Sequence, residues 1–266
     1  MSDRNTCPKV DSGGKRLTPS TRLNSSNIIV SLSGGKDSLA TAYGLLDRGQ
    51  KIHSAAVFDT GWEFPEVLAE IDRFETYTGV RVVRLHPWAD FEYWLTERPV
   101  KEKRTGPIHR IGYGWPDMGR RWCTRKKIDA INKYARSIPG AVLAIGIAAD
   151  EAHRVKEYAF SPVILPLIDW GMTEADALAY CYAKGHNWGG IYDWMPSKRV
   201  SCFCCPLQGK KDLLAIRQHR PGLWAELLRL DAKIQDNRGF VGRKTAHDLE
   251  AEFSGNIGMF ATGEKA

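Results

Sequence analysis

The stretch Asn27-Ile28-Ile29-Val30-Ser31-Leu32-Ser33-Gly34-Gly35-Lys36-Asp37-Ser38 decides the fold of this chain. Its β-branched run stops at two glycines and reopens as Ser38-Leu39-Ala40-Thr41-Ala42-Tyr43, which predicts a buried strand, a tight turn and a helix N-terminus. Such a turn binds anions. Its backbone N–H groups and the positive end of the helix dipole point at one spot, and the glycines let a phosphate approach the main chain closely. Lys36 adds a mobile positive charge, and Ser33 and Ser38 add hydroxyl donors. The commoner phosphate loop, G-x-x-x-x-G-K-[ST], is excluded because Gly34 and Gly35 are adjacent.

Outward from this turn, strands and helices alternate. Ile52 to Phe58 reads as a second buried strand, Phe64 to Tyr77 carries an apolar helical face, and Val80 to Leu85 is a third strand. From Pro87 to Arg121 the periodicity breaks down into aromatics, prolines and glycines with a basic run at 101–104, which predicts a long loop or lid. A helix from Cys123 to Ser137, a strand from Ala141 to Ile147 and a strand from Val163 to Ile168 follow, the last placed at a sheet edge by Pro166. Thr173 then caps a helix to Lys184 that carries Cys181. The alternation implies an α/β fold with a doubly wound, mainly parallel sheet. The expected organisation is a flexible arm over 1–24 that includes Cys7, a nucleotide-binding domain over 25–184, a cysteine-bearing helical appendage over 185–255 and a tail over 256–266.

At 266 residues, with 43% hydrophobic and 26% charged residues, the chain is long enough and apolar enough for a full globular core. No stretch approaches the roughly 18 uninterrupted apolar residues of a membrane span, and the first residues lack the apolar centre of a signal peptide. The expectation is a cytoplasmic protein with no membrane partner. A net charge of +7 fits a polyanionic ligand, whether nucleotide or nucleic acid. Six cysteines in such a chain argue for a metal site or redox chemistry rather than disulfides.

Three further segments could carry chemistry. Asp59-Thr60-Gly61-Trp62-Glu63-Phe64-Pro65-Glu66 follows the second strand, where an acid could hold a ribose hydroxyl or a Mg²⁺ on phosphates. Gly146-Ile147-Ala148-Ala149-Asp150-Glu151-Ala152-His153-Arg154 ends the fourth strand with carboxylates and a guanidinium that can grip an anion. Cys123, at the start of a basic helix, and the C-x-x-C pair Cys202 and Cys205 supply three soft donors. These donors suit tetrahedral Zn²⁺, with Cys204 or a histidine as fourth ligand, or a [4Fe–4S] cluster. The basic residues around Cys123 are expected to lower thiol pKa values and attract an anion.

The segment S-G-G-K-D-S resembles the PP-loop of the N-type ATP pyrophosphatases and the phosphoadenosine phosphosulfate (PAPS) reductase family, whose fold is adenine nucleotide alpha hydrolase-like. The D-T-G-x-x-F-P-E segment and G-I-x-x-x-E-x-x-R are similar to segments of the same family. R-W-C-T-x-K-K, from Arg121 to Lys127, with a later C-x-x-C-P resembles its cluster-bearing members, including DNA phosphorothioation enzymes and several phage proteins. This resemblance favours a [4Fe–4S] cluster on Cys123, Cys202 and Cys205, with one iron free of cysteine or bonded to Cys204. It implies that Ser33, Gly34, Gly35, Lys36, Asp37, Ser38, Asp59, Thr60, Gly146 and Glu151 bind the nucleotide. Lys36 and the loop amides stabilise the leaving phosphates, Asp37 helps hold Mg²⁺ and Arg154 clamps the anion.

Two departures qualify the resemblance. Ala148 stands where many members carry Arg, removing one anion contact and disfavouring the 3′-phosphate of PAPS. No cysteine follows Cys205, so the nucleophile of sulfonucleotide reductases has no counterpart downstream. The implied function is an enzyme using ATP or adenylyl sulfate for sulfur transfer or reduction, with thiolation of a nucleic-acid or nucleotide acceptor ahead of true PAPS reduction. A sulfur donor or redox protein is an expected partner, and a homodimer is compatible with this reading. The alternative of a different class is a non-enzymatic nucleic-acid-binding protein with structural Zn²⁺.

Overall fold

The structure, a computed structural model, describes residues 27–102, 105–155 and 162–261, and only the backbone of 256–261. The arm over 1–24 with Cys7, Lys103 and Arg104 of the basic run, and the last five residues lie outside the described residues.

The strands are β1 (Ile28–Ser31), β2 (Ile52–Phe58), β3 (Val82–Leu85), β4 (Pro99–Lys101), β5 (Ile108–Ile111), β6 (Val142–Ile145) and β7 (Val163–Ile164). The helices are α1 (Lys36–Asp47), α2 (Pro65–Thr78), α3 (Phe91–Thr96), α4 (Trp122–Arg136), α5 (Pro166–Asp169), α6 (Glu174–Ala183), α7 (Ile191–Trp194), α8 (Lys210–His219), α9 (Pro221–Ala232) and α10 (Ala246–Ala261). The chain divides into two compact units. The first holds the described residues up to Phe58, Pro65–Leu85 and Ile128–Trp188; the second holds Asp59–Phe64, His86–Lys127 and Gly189 onward.

The first unit is the expected α/β fold. Its sheet has the order β3-β2-β1-β6-β7 and every pairing in it is parallel. Ile28 pairs with Ile52 on one side and Val142 on the other, so the β-branched run lies in the middle of the sheet, where both faces are covered. The chain builds outward from β1 to β3 and then resumes at β6 on the other flank. The topological switch point therefore falls between β1 and β6, where open α/β sheets bind ligands. One face is sealed by Ile29, Ala56 and Leu143 against Ala135, with Ile131 and Tyr134 beside them.

The edge position of β7 agrees with the proline argument, but the strand is shorter than Val163 to Ile168. Pro166 opens α5 instead, because its fixed φ and missing N–H suit a first helical turn.

The second unit contains regular structure where a long loop was expected. Asp90 caps α3 by accepting from the Tyr93 N–H at 2.7 Å, and Phe91, Trp94 and Leu95 bury one face of the helix. β4 and β5 form an antiparallel hairpin with Val100 opposite Arg110. Both elements are too short for a periodic signal. α10 runs to Ala261 and so reaches into the stretch read as a tail.

Candidate functional site

The Ser33–Ser38 loop sits in the first unit between β1 and α1. Gly34 has φ +77°, and a Cβ there would lie 2.7 Å from Val67 Cγ1, so only glycine fits. The two serines close the loop. The Ser33 N–H and hydroxyl each donate to Ser38 Oγ at 3.1 Å, and the Ser38 hydroxyl donates to the Gly35 carbonyl at 2.9 Å. Gly146 follows β6 with no room for a side chain, since a Cβ would stand 2.6 Å from the Asp37 carbonyl oxygen. Its role is close approach of two backbones.

Charge is concentrated behind this loop. Lys36 is 3% exposed, and its Nζ lies 3.1 Å from Asp37 Oδ2 and 3.2 Å from Glu174 Oε1. Arg154 pairs with the buried Glu151. Burial pushes the Asp37 carboxyl above its ordinary pKa; Lys36 opposes this, and Glu174 and Glu151 add to it. Asp37 Oδ1 is buried and has no hydrogen-bond partner among the described residues. An orphaned carboxylate oxygen, with two further carboxylates in electrostatic reach, fits a hard divalent cation such as Mg²⁺.

A buried polar chain supports the same loop from below. His186 lies 2.6 Å from Glu70 Oε2 through Nδ1 and 2.9 Å from the Tyr43 hydroxyl through Nε2. A carboxylate only accepts, so Nδ1 carries the proton and Nε2 accepts from Tyr43. Burial holds the His186 pKa below its usual value despite Glu70, which keeps the ring neutral. Glu70 Oε1 accepts the N–H groups of Asn187 and Trp188 at 3.0 and 2.8 Å, and the Trp188 indole reaches the Gly34 carbonyl. Cys181, also in this unit, is buried and donates to the Lys36 carbonyl at 3.3 Å.

Asp59 and Thr60 belong to the second unit, with the candidate cysteine ligands. Asp59 Oδ1 accepts from the Gly61 N–H at 2.8 Å. Thr60 donates through its N–H and hydroxyl to Glu63 Oε2 at 2.9 and 2.7 Å, and its Oγ1 lies 3.8 Å from Cys202 Sγ. Lys127, one helical turn after Cys123, places Nζ 3.0 Å from Glu63 Oε1 and 3.5 Å from Cys202 Sγ. The C-x-x-C segment is a tight turn, with the Cys205 N–H donating to the Cys202 carbonyl at 3.1 Å. Cys123, Cys202 and Cys205 feel one another's charge in series, and Cys204 is 1% exposed.

At Cys202, Cys204 and Cys205 the thiol pKa values are raised, not lowered as expected. Burial pushes Cys202 up to about 11 and raises Cys204 and Cys205 as well, with Lys127 opposing only in part. Arg120 spends its charge on Asp117 and Lys126 lies over the Trp94 ring, so the basic run does not act as a block on the sulfurs. Among the described residues, no three His, Cys, Asp or Glu side chains already meet at metal-ligand distance. Three thiols on one tight turn and one helix start nonetheless form a soft donor set that fits a [4Fe–4S] cluster or Zn²⁺.

Sequence reasoning missed Glu174, Glu63 as a partner of Lys127, and the Glu70–His186–Trp188 chain. Glu63 occupies a variable position of the Asp59–Glu66 segment, and the others lie outside every motif.

Residues 27–206 match the phosphoadenosine phosphosulfate reductase domain family. The chain belongs to that family. An uncharacterised protein of Methanocaldococcus jannaschii is 26% identical over 209 residues, covering 74% of this chain. This chain spans only 40% of that relative's length. The structure is also similar to the U34-tRNA thiolase NcsA from Methanococcus maripaludis with its [4Fe–4S] cluster, at 16% identity and TM-score 0.44, over 87% of this chain and 80% of that one.

Proposed function

We propose that the chain binds ATP, or a related adenylyl nucleotide, at Ser33–Ser38 and uses the thiols of Cys123, Cys202 and Cys205 for sulfur transfer to a nucleic-acid or nucleotide acceptor. The observation that carries this is the buried Lys36, paired with the half-buried Asp37 and Glu174 behind a glycine turn, in a chain of a sulfonucleotide-handling family. In this reading the acceptor oxygen attacks the α-phosphorus, the bond to the bridging oxygen breaks and pyrophosphate leaves. A sulfur nucleophile from a donor then displaces AMP, which departs with the acceptor oxygen. The loop amides and Lys36 stabilise the charge that grows on the leaving phosphates. Asp37, with Glu151 and Glu174, would hold Mg²⁺, which supplies charge neutralisation on the phosphates. Cys123, Cys202 and Cys205 would hold the cluster, which supplies electrons or a position for inorganic sulfur.

Reduction of a sulfonucleotide is the second reading, favoured by the family match itself. Against it, position 148 is a fully buried alanine that offers no anion contact.

The test is anaerobic purification of the 266-residue chain with metal and sulfide analysis, beside Cys205→Ala. Iron and sulfide near four each per chain, lost in the variant, is the expected result. One zinc per chain overturns sulfur transfer through this site and leaves a nucleotide-dependent enzyme or a nucleic-acid binder with structural zinc. Reduction of adenylyl sulfate or PAPS to sulfite, without thiolation of any nucleic acid, selects the second reading.

A further inference from the structure

The second unit contains a cavity of about 440 Å³ that the motifs touch only at Pro206. Its volume falls in the range that takes one nucleotide-sized group. Arg110 of β5, Arg120 ahead of α4 and Arg238 ahead of α10 all line it.

The floor is rigid. Trp115 packs edge-on against Phe240 with ring centroids 4.8 Å apart, and its indole N–H donates to the buried Asp231 Oδ1 at 2.6 Å. Asp231 also accepts from the Asn237 side chain at 2.8 Å and the Ala246 N–H at 3.0 Å. A carboxylate with three donors locks the strand-side and helix-side walls together.

The walls are unevenly paired. Arg120 is held by Asp117, with Nε 2.9 Å from Oδ2, and Arg238 by Asp236 at 3.1 Å. Arg110 has no carboxylate at ion-pair distance among the described residues, and its buried Nε has no hydrogen-bond partner among them. Burial and the neighbouring Arg120 and Arg238 disfavour its charge, and Asp236 and Tyr113 oppose them only in part. Arg110 is a half-buried guanidinium whose enclosed Nε lacks an acceptor and which two like charges crowd, so an anion in the cavity it lines would offset that charge.

The charge balance narrows the ligand. Three guanidiniums against two carboxylates leave one net positive charge in the cavity, which matches a phosphodiester rather than a dianion. Met118 and Leu207, 73% and 42% exposed, give the rim apolar surface of the kind a base covers. Pro206 and Leu207, directly after Cys205, line the same cavity, so a group bound there lies beside the cysteine turn.

We propose that this cavity is a subsite for one phosphodiester of a nucleic-acid strand, anchored by Arg110, that presents the acceptor to the cysteine turn. The subsite rests on the nucleic-acid version of the function proposed above. Arg110 is here a binding residue, reaching only the strand.

The test uses fluorescence anisotropy of labelled single-stranded 15-mer RNA and DNA with the full chain, at several salt concentrations. Arg110→Gln is expected to weaken binding about five- to tenfold and to reduce the slope of log affinity against log salt by about one. ATP binding by calorimetry is expected to stay unchanged. Arg120→Gln, at a more exposed position, should act in the same direction and covers the case in which the first variant does not fold. Lys51→Gln, on the exposed surface of the other unit, controls for net charge. Strand binding equal in wild type and both arginine variants overturns the subsite while leaving the function standing. No strand binding by a wild type that still binds ATP overturns the subsite together with the nucleic-acid acceptor. Loss, in the arginine variants, of millimolar inorganic phosphate binding alone would assign the cavity to a free anion and overturn the strand assignment.

Discussion

The Trp188 indole N–H donates to the Gly34 carbonyl oxygen across 2.7 Å, tying the residue that closes the first unit to the glycine that opens its anion-binding turn. Trp188 is fully buried and adopts φ +47°, an unfavourable backbone for a bulky residue. Glu70 holds it there through the Trp188 N–H at 2.8 Å. Trp188→Phe keeps a smaller aromatic ring and removes the donor. One neutral hydrogen bond is worth about 1 kcal/mol, so the dissociation constant for ATP should rise about fivefold. Calorimetric titration of ATP checks this, and an unchanged affinity would show that the bond does not position the loop.

The neutral His186 makes the first unit acid-sensitive. Burial holds its folded pKa below the ordinary value of about 6.5, so below that pH the unfolded chain binds a proton that the folded chain refuses. Stability then falls by up to about 1.4 kcal/mol per pH unit until the folded pKa is reached. Glu70, held below its usual range, loses its contribution at still lower pH, as its folded carboxylate protonates. His186→Gln can keep both hydrogen bonds without titrating. The stability gap between wild type and variant in urea unfolding should narrow between pH 7 and 5, and a constant gap would contradict the assignment.

Gly146→Ala should impair nucleotide binding. Its Cβ would stand 2.6 Å from the Asp37 carbonyl, so the loop or β6 must shift. Gly222→Ala, with nothing within 4 Å, should be neutral or stabilising by up to about 1 kcal/mol as a helix substitution. Comparing ATP affinity and melting temperature of the two variants decides whether the close approach matters.

Lys127 neutralises Glu63, which is 8% exposed in its side chain. Lys127→Met leaves that carboxylate without its cation and should cost about 2 kcal/mol. Adding Glu63→Gln should recover part of the loss, because the stranded charge is gone. A double-mutant cycle in urea measures this, and additive losses would mean that the pair is not coupled.

Asp37→Asn should raise the Mg²⁺ concentration needed for half-maximal ATP binding at least about tenfold. Oδ1 of Asp37 is the buried oxygen left without a partner, and an amide has no charge to offer a hard cation. Titration of Mg²⁺ at fixed ATP is the measurement.

By itself the sequence determined the sheet, the turn and the soft donors. Ile28 to Ser31 forms a central strand because a β-branched run buried on both faces has few other stable placements, and Ser33–Ser38 must turn because Gly34 alone tolerates its backbone there. The cysteine spacing showed soft donors for the same local reason. Only the tertiary structure decided which charges meet. Glu174 reaches Lys36 from 138 residues away and Glu63 reaches Lys127 from 64, and no local pattern encodes such distances. It also reversed the expectation for Cys202, Cys204 and Cys205, because burial, a property of the packed chain, outweighs the nearby Lys127 cation at Cys202 and Cys205 and is unopposed by it at Cys204. Periodicity reports what a segment does with its own backbone; charge pairing and desolvation depend on what the rest of the chain brings to it.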